Sequence, residues 1–133
     1  LNEEVSKAPI DLALIGIGEN AHIAFNDPPA DFETEQPFKV VELTDSCKAQ
    51  QVREGWFASI DEVPKRAITM SVKQILKSRH IVSVVPRQVK AEAIWNTLSG
   101  EIDNRVPATI LKTNRNWQLY LEKASASKFY TWV

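Results

Sequence analysis

The sequence has little of what several common kinds of site require. It contains one cysteine, Cys47, and two histidines among 133 residues. It therefore cannot form an internal disulfide, and it lacks the side chains for a cysteine and histidine zinc site. We accordingly expect no metal site, and a reducing, cytoplasmic compartment fits this cysteine usage best.

Excess charge of one sign and long apolar runs are also missing. The 16 Lys and Arg residues nearly balance 17 Asp and Glu, giving a net charge of -1. This balance gives no electrostatic reason to expect nucleic acid or an anionic membrane as a partner. No apolar run approaches the ~20 residues that span a bilayer, and the acidic start lacks the apolar segment of a signal peptide. Because the chain begins with Leu1 and not Met, we allow that it is a piece of a longer protein.

What the chain does have is 44% hydrophobic residues, enough for one globular domain with a core. Its apolar pattern predicts strands at residues 10–15, 38–43, 66–70, 81–85, 109–112 and 118–121. It predicts three helices. One lies at residues 48–57, one begins after a Ser71 cap, and one lies at residues 88–98 with Gly100 as the stop. On the last helix, the residues expected to face inward are Ala91, Ile94, Trp95 and Leu98. Strands alternating with helices indicate an α/β domain, doubly wound, with a mainly parallel sheet and helices on both faces.

Two loops leave the carboxyl ends of predicted strands, where ligands bind in such sheets. The first begins at Gly16 and Gly18, whose lack of side chains lets the backbone approach an anion closely, so both are candidate substrate-binding positions. The alternative is that the two glycines only make a tight turn. With Ala21 they match a dinucleotide-binding pattern. Pro28 and Pro29 leave too little room for the helix that this pattern opens, so we favour another ligand.

The same loop carries a cluster of polar residues. Asn20, His22, Asn26 and Asp27 lie within eight residues of one another. An imidazole, a carboxylate and an orienting amide are the usual parts of a proton-transfer site. An alternative interpretation stays open, in which His22 is a satisfied, partly buried histidine and Asp27 caps a turn.

Two cations are candidates for holding an anion. Lys90 lies in the first turn of a predicted helix, where a lone cation opposes the helix dipole and an anionic ligand would remove the conflict. The alternative interpretation is a solvated surface lysine. Arg53 lies one residue past the apolar stripe of its helix, so the spacing does not decide between an inward position and the rim.

The stretch at residues 16–28 closely resembles the active-site signature of glucosamine-6-phosphate deaminases, whose His-Ile-Ala-Phe-Asn is followed by an acid and Pro. The resemblance continues through Arg53 and residues 63–69, 90–93 and 106–111. It covers essentially the whole chain but only the C-terminal half or so of a family member. It implies a Rossmann-like fold that is incomplete here, and conversion of glucosamine 6-phosphate to fructose 6-phosphate and ammonia without a cofactor.

The resemblance also implies roles for individual residues. His22 corresponds to the ring-opening histidine, Asp27 to its carboxylate partner, and Asn20 to the position beside it, where family members carry Asp or Asn. Arg53 and Lys90 correspond to the cations that hold the phosphate, and Asn26 to a position beside the substrate. The expected arrangement has the His22 ring facing a pocket that both cations share.

Two departures qualify these expectations. Asp27 is one methylene shorter than the Glu of many members. The family's C2 base and its Thr/Ser-Gly-Gly phosphate loop lie in the N-terminal half, and neither is found here, so we expect the isolated chain to be inactive. We expect it to form a homo-oligomer or to pair with the missing N-terminal half. A 6-phosphogluconolactonase-like hydrolase and a non-catalytic sugar-phosphate sensing domain remain the alternatives.

Overall fold

The structure is a computed structural model that describes residues 1–130. The strands are β1 (Leu12–Leu14), β2 (Phe38–Glu42), β3 (Arg66–Met70), β4 (His80–Val85) and β5 (Trp117–Leu121). The α-helices are α1 (Asn2–Val5), α2 (Asp45–Arg53), α3 (Val72–Leu76) and α4 (Ala91–Ser99). Short 3₁₀ segments span Ile60–Glu62, Gln88–Lys90, Pro107–Thr113 and Ser127–Phe129. Within residues 1–130, no helix is long and apolar enough to cross a bilayer.

Three strands form a parallel sheet in the order β1-β4-β5. Ala13 pairs with Ile81, and Val84 pairs with Tyr120. The strands β2 and β3 form a separate antiparallel ribbon. The sequence prediction of an α/β fold with a mainly parallel sheet is confirmed.

One face of the parallel sheet builds the core. Its side chains point towards α3 and α4, and the core contains Ala13, Ile81, Val85, Ile75 and Ile94. The capping prediction for α3 is confirmed, because the Ser71 hydroxyl accepts a hydrogen bond from the Gln74 N–H. Burial of this apolar surface is the main source of the domain's stability.

The opposite face of the same sheet is open. Side chains alternate along a strand, so the residues between the core positions point to this face. They are Leu12, Leu14, Val84 and Tyr120, which are 54%, 76%, 65% and 55% exposed. Parallel sheets are normally covered on both faces. This face therefore lacks a covering layer in the chain as described.

Three predictions of local structure need correction. Residues 109–112 do not form a strand but lie in the 3₁₀ segment that begins at Pro107, where the Thr109 hydroxyl donates to the Val106 carbonyl at 2.7 Å. The helix predicted at 48–57 begins at Asp45 and ends at Arg53.

On α4 the predicted inward face is only half right. Ala91 and Ile94 are buried, but Trp95 and Leu98 are 37% and 38% exposed. The Trp95 ring packs against Phe129 at a centroid distance of 5.0 Å, at the edge of the core and not inside it.

Candidate active site

The loop after β1 is built from tight turns. Residues 16–30 contain no helix, so the long helix of a dinucleotide site does not follow the glycines. Ala21 and Ala24 have φ angles of 65° and 49°, a backbone region that residues with a side chain rarely adopt. These bends fold the loop back over the carboxyl end of the parallel sheet.

Gly18 is in contact with the ring of His22. A Cβ atom added at Gly18 would lie 2.1–2.4 Å from three atoms of the imidazole. The Gly18 N–H also donates to the His22 carbonyl at 2.9 Å. The absence of a side chain at this glycine is therefore what lets the ring occupy its position. Around Gly16 a Cβ would meet nothing within 4 Å, so packing does not require that glycine.

The predicted histidine, amide and carboxylate lie together. His22 Nδ1 lies 2.5 Å from Asn20 Oδ1 and 3.3 Å from Asp27 Oδ1. Asn20 Nδ2 donates to Asp27 Oδ1 at 3.1 Å, and Asn20 Oδ1 also accepts from the His22 backbone N–H. These contacts fix the amide and join all three side chains in one network.

This network sets the protonation of the ring. Both neighbours of His22 Nδ1 are oxygen acceptors, so the neutral ring carries its proton on Nδ1 and leaves the Nε2 lone pair free. Burial lowers the pKa of His22, although the nearby Asp27 carboxylate acts in the opposite direction and Lys90 adds to the lowering. The site therefore holds a neutral imidazole that can accept a proton at Nε2.

A residue that the sequence did not single out orients the carboxylate. The Thr44 hydroxyl donates to Asp27 Oδ2 at 2.9 Å and caps α2 by accepting from the Cys47 N–H at 3.2 Å. Both oxygens of Asp27 are thus hydrogen-bonded, one by Asn20 and one by Thr44. The start of α2 is tied in this way to the histidine network.

His22 lines an open cavity of about 290 Å³. The other residues lining it are Gly16, Ile17, Gly18, Ala24, Gln50, Glu54 and Lys90. The cavity lies where β1 and β4 end, as expected for a ligand site in a parallel sheet. It brings together the candidate proton-transfer residue and one of the two candidate cations.

Lys90 is largely buried at this cavity. Its ammonium donates to the Ile17 carbonyl at 2.8 Å. Burial lowers its pKa, and the negative charges of Glu54 and Glu19 act in the opposite direction. A buried cation that lines a cavity is a suitable partner for a phosphate.

Arg53 occupies a different place. Its guanidinium forms an ion pair with Glu19, and its side chain is 51% exposed. The structure places it outside the lining of the cavity. Of the two expected cations, Lys90 alone lines this cavity within residues 1–130.

Asn26 has a role in holding the loop. Its amide nitrogen donates to the carbonyls of Ile23 and Met70 at 2.9 and 2.8 Å. It does not line the cavity with His22. These bonds join the loop to the end of β3, which fixes the turn that carries Asp27.

Two cavity residues were not anticipated. Gln50 and Glu54 lie one helical turn apart, and Gln50 Nε2 donates to Glu54 Oε1 at 2.9 Å. Gln50 Oε1 in turn accepts from the Glu19 backbone N–H at 3.1 Å. The i, i+4 spacing of two polar residues on an otherwise half-buried helix was the available signal. Within the described residues, no group of three or more histidine, cysteine or acidic side chains could hold a metal ion.

Comparison with known proteins identifies the family. Residues 1–120 match the model of the glucosamine-6-phosphate isomerases/6-phosphogluconolactonase family. Relatives named glucosamine-6-phosphate deaminase occur in Clostridium botulinum (strain Eklund 17B / Type B), at 42% identity over 118 residues, and in Thermoanaerobacter sp. (strain X514), at 40% over 126 residues. The chain belongs to this family.

The match covers most of this chain but less than half of its relatives. It spans 89% and 94% of this chain, and 46% and 48% of the two relatives. A solved structure described as a monomeric glucosamine-6-phosphate deaminase superimposes with a TM-score of 0.82 at 36% identity, covering 88% of this chain and 47% of that one. The 6-phosphogluconolactonase from Trypanosoma cruzi has a TM-score of 0.65 at 16% identity over 90% of this chain and 41% of its own, which shows a shared fold. The Rossmann-like fold is thereby confirmed.

Proposed function

We propose that this chain supplies the histidine half of a glucosamine-6-phosphate deaminase site. The observation that carries the proposal is the His22 ring, bonded to Asn20 and close to Asp27, in one cavity with the buried cation Lys90. The relatives named for this activity at about 40% identity support it. The complete reaction converts glucosamine 6-phosphate and water to fructose 6-phosphate and ammonia.

In this proposal His22 moves the proton that opens the pyranose ring. Its Nε2 accepts the proton of the anomeric hydroxyl and delivers it to the ring oxygen, which yields the open-chain aldehyde. Asn20 Oδ1 accepts the Nδ1 proton at 2.5 Å, and the Asp27 carboxylate, 3.3 Å from Nδ1, stabilises the transient imidazolium. A proton that must move in both directions suits a group that stays neutral at physiological pH and titrates reversibly.

Lys90 binds the phosphate of the substrate in this scheme. Its ammonium is already desolvated and is anchored by the Ile17 carbonyl, so less ordering is required when an anion arrives. Gly16 and Gly18 line the same cavity and leave room for a ligand close to the backbone. Arg53 reaches the phosphate only after its ion pair with Glu19 is exchanged.

The later steps need a base that removes the proton from C2. We assign that base to the half of the relatives that this chain does not match. The sheet face formed by Leu12, Leu14, Val84 and Tyr120 supports a covering segment of this kind, because it is an exposed apolar face of a parallel sheet. A relative about twice as long is described as monomeric, which favours a covering segment over a second copy.

A coupled assay of ammonia release from glucosamine 6-phosphate tests the proposal. The 133-residue chain alone is expected to show no turnover. Co-expression with the N-terminal half of the Thermoanaerobacter relative is expected to restore turnover, and His22→Asn is expected to abolish it again. Robust turnover by the isolated chain would contradict the assignment of the C2 base. Turnover of the reconstituted enzyme that survives His22→Asn would contradict the role of His22.

A further inference from the structure

The cavity contains two opposite charges that do not neutralise each other. Glu54 and Lys90 both line it. Among the described residues, the only side-chain partner of the Glu54 carboxylate is the neutral amide of Gln50, and the Lys90 ammonium is bonded to the Ile17 carbonyl. The two groups therefore face the same space beyond ion-pair distance of each other.

The carboxylate is held in place and not merely exposed at the rim. Gln50 is 6% exposed, and its Oε1 accepts a hydrogen bond from the Glu19 backbone N–H. The amide that donates to Glu54 Oε1 is therefore fixed, which restricts the position of the carboxylate. The charge of Glu54 reaches across the cavity, since it raises the pKa of both Lys90 and His22 against the effect of burial.

Lys90 is buried at this cavity, and a buried charge is costly unless a group of opposite charge lies beside it. A purely anionic ligand would pair with Lys90 and be repelled by Glu54. A purely cationic ligand would pair with Glu54 and be repelled by Lys90. A ligand that carries a phosphate and an ammonium satisfies both groups at once.

We propose that Glu54 is a specificity-determining residue that recognises the ammonium group of an amino sugar phosphate, while Lys90 holds the phosphate. This inference rests on the proposed function, because it assumes that the cavity binds a sugar phosphate. Glu54 would then distinguish a sugar phosphate with an amino group from the same sugar phosphate with a hydroxyl in that place.

Calorimetric titration of the 133-residue chain with two ligands tests this assignment. Glucosamine 6-phosphate and glucose 6-phosphate differ only in the group at C2. The unmodified chain is expected to bind the amino sugar about tenfold more tightly, which corresponds to about 1.4 kcal/mol. In Glu54→Gln the ratio is expected to fall to about one through weaker binding of the amino sugar, with glucose 6-phosphate bound at least as tightly as before. The exposed Glu62→Gln is the matched control and is expected to keep the ratio.

A second measurement does not depend on a variant that folds. With the unmodified chain, the preference for the amino sugar is expected to disappear as the pH rises far enough to deprotonate the sugar amine. An unchanged ratio in Glu54→Gln, or a preference that survives at high pH, would overturn the role of Glu54 alone. Failure of both ligands to bind the unmodified chain would overturn the proposed function as well. If the isolated chain turns over glucosamine 6-phosphate and Glu54→Gln abolishes that activity, Glu54 is a catalytic base. This outcome would overturn its assignment as the group that binds the ammonium.

Discussion

Replacing Gly18 with alanine tests how the histidine is positioned. The new Cβ would lie 2.1 Å from Cε1, 2.3 Å from Nδ1 and 2.4 Å from Nε2 of His22. The backbone cannot easily give way, because the Gly18 N–H donates to the His22 carbonyl and the Gly18 carbonyl accepts from Ala21. The ring must therefore rotate away from its place, which breaks its 2.5 Å contact with Asn20.

The magnitude follows from two effects. Overpacking a buried site costs about 1–3 kcal/mol, and loss of one buried hydrogen bond adds about 1 kcal/mol. Urea denaturation should show this loss for Gly18→Ala. Gly16→Ala is the matched control for stability, since open space surrounds that position. The His22 ring resonances should move in Gly18→Ala and stay in place in Gly16→Ala. Equal stability of the two variants, with unchanged ring resonances, would refute the reasoning.

Three further predictions concern the network and the open face. Burial lowers the pKa of His22, so the unfolded chain binds the proton more readily and stability should be lost as the pH falls below about 6.5. His22→Gln should flatten the curve of stability against pH between about pH 7 and 5, and an unaltered curve would contradict this. Thr44→Val removes the α2 cap and the bond to Asp27 and should cost about 1–2 kcal/mol, whereas Thr44→Ser should retain most of it; equal denaturation midpoints for the two would refute this role. Leu14→Lys should change the free energy of unfolding by less than about 0.5 kcal/mol but reduce self-association of the isolated chain, measured by sedimentation. Unchanged self-association would show that the open sheet face does not mediate it.

The strongest patterns in the sequence predicted the structure well. The β-branched run that became β4 and the capping serine before α3 are both where periodicity and cap chemistry placed them. The prediction failed at residues 109–112, because a run of branched and apolar residues resembles a strand while local bonding of Thr109 stabilises a 3₁₀ turn after Pro107. Local side-chain bonds of this kind are not visible in hydrophobic periodicity.

The histidine loop was predictable for a similar reason, and the cations less so. Asn20, His22 and Asp27 are close in sequence, so a tight loop brings them together almost irrespective of the rest of the fold. Arg53 is the last residue of α2 and Glu54 is its C-cap, still in helical conformation, so their side chains point about 100° apart. Only the packing of that helix decided that Glu54 lines the cavity while Arg53 pairs with Glu19.

The most direct test of the central claim follows the His22 ring by NMR while glucosamine 6-phosphate is added to the 133-residue chain. The account predicts saturable shifts of the His22 ring signals, together with those of Gly18 and Lys90, and loss of these shifts in Lys90→Met. Saturable binding that leaves the His22 signals unmoved, or that persists unchanged in Lys90→Met, would contradict it.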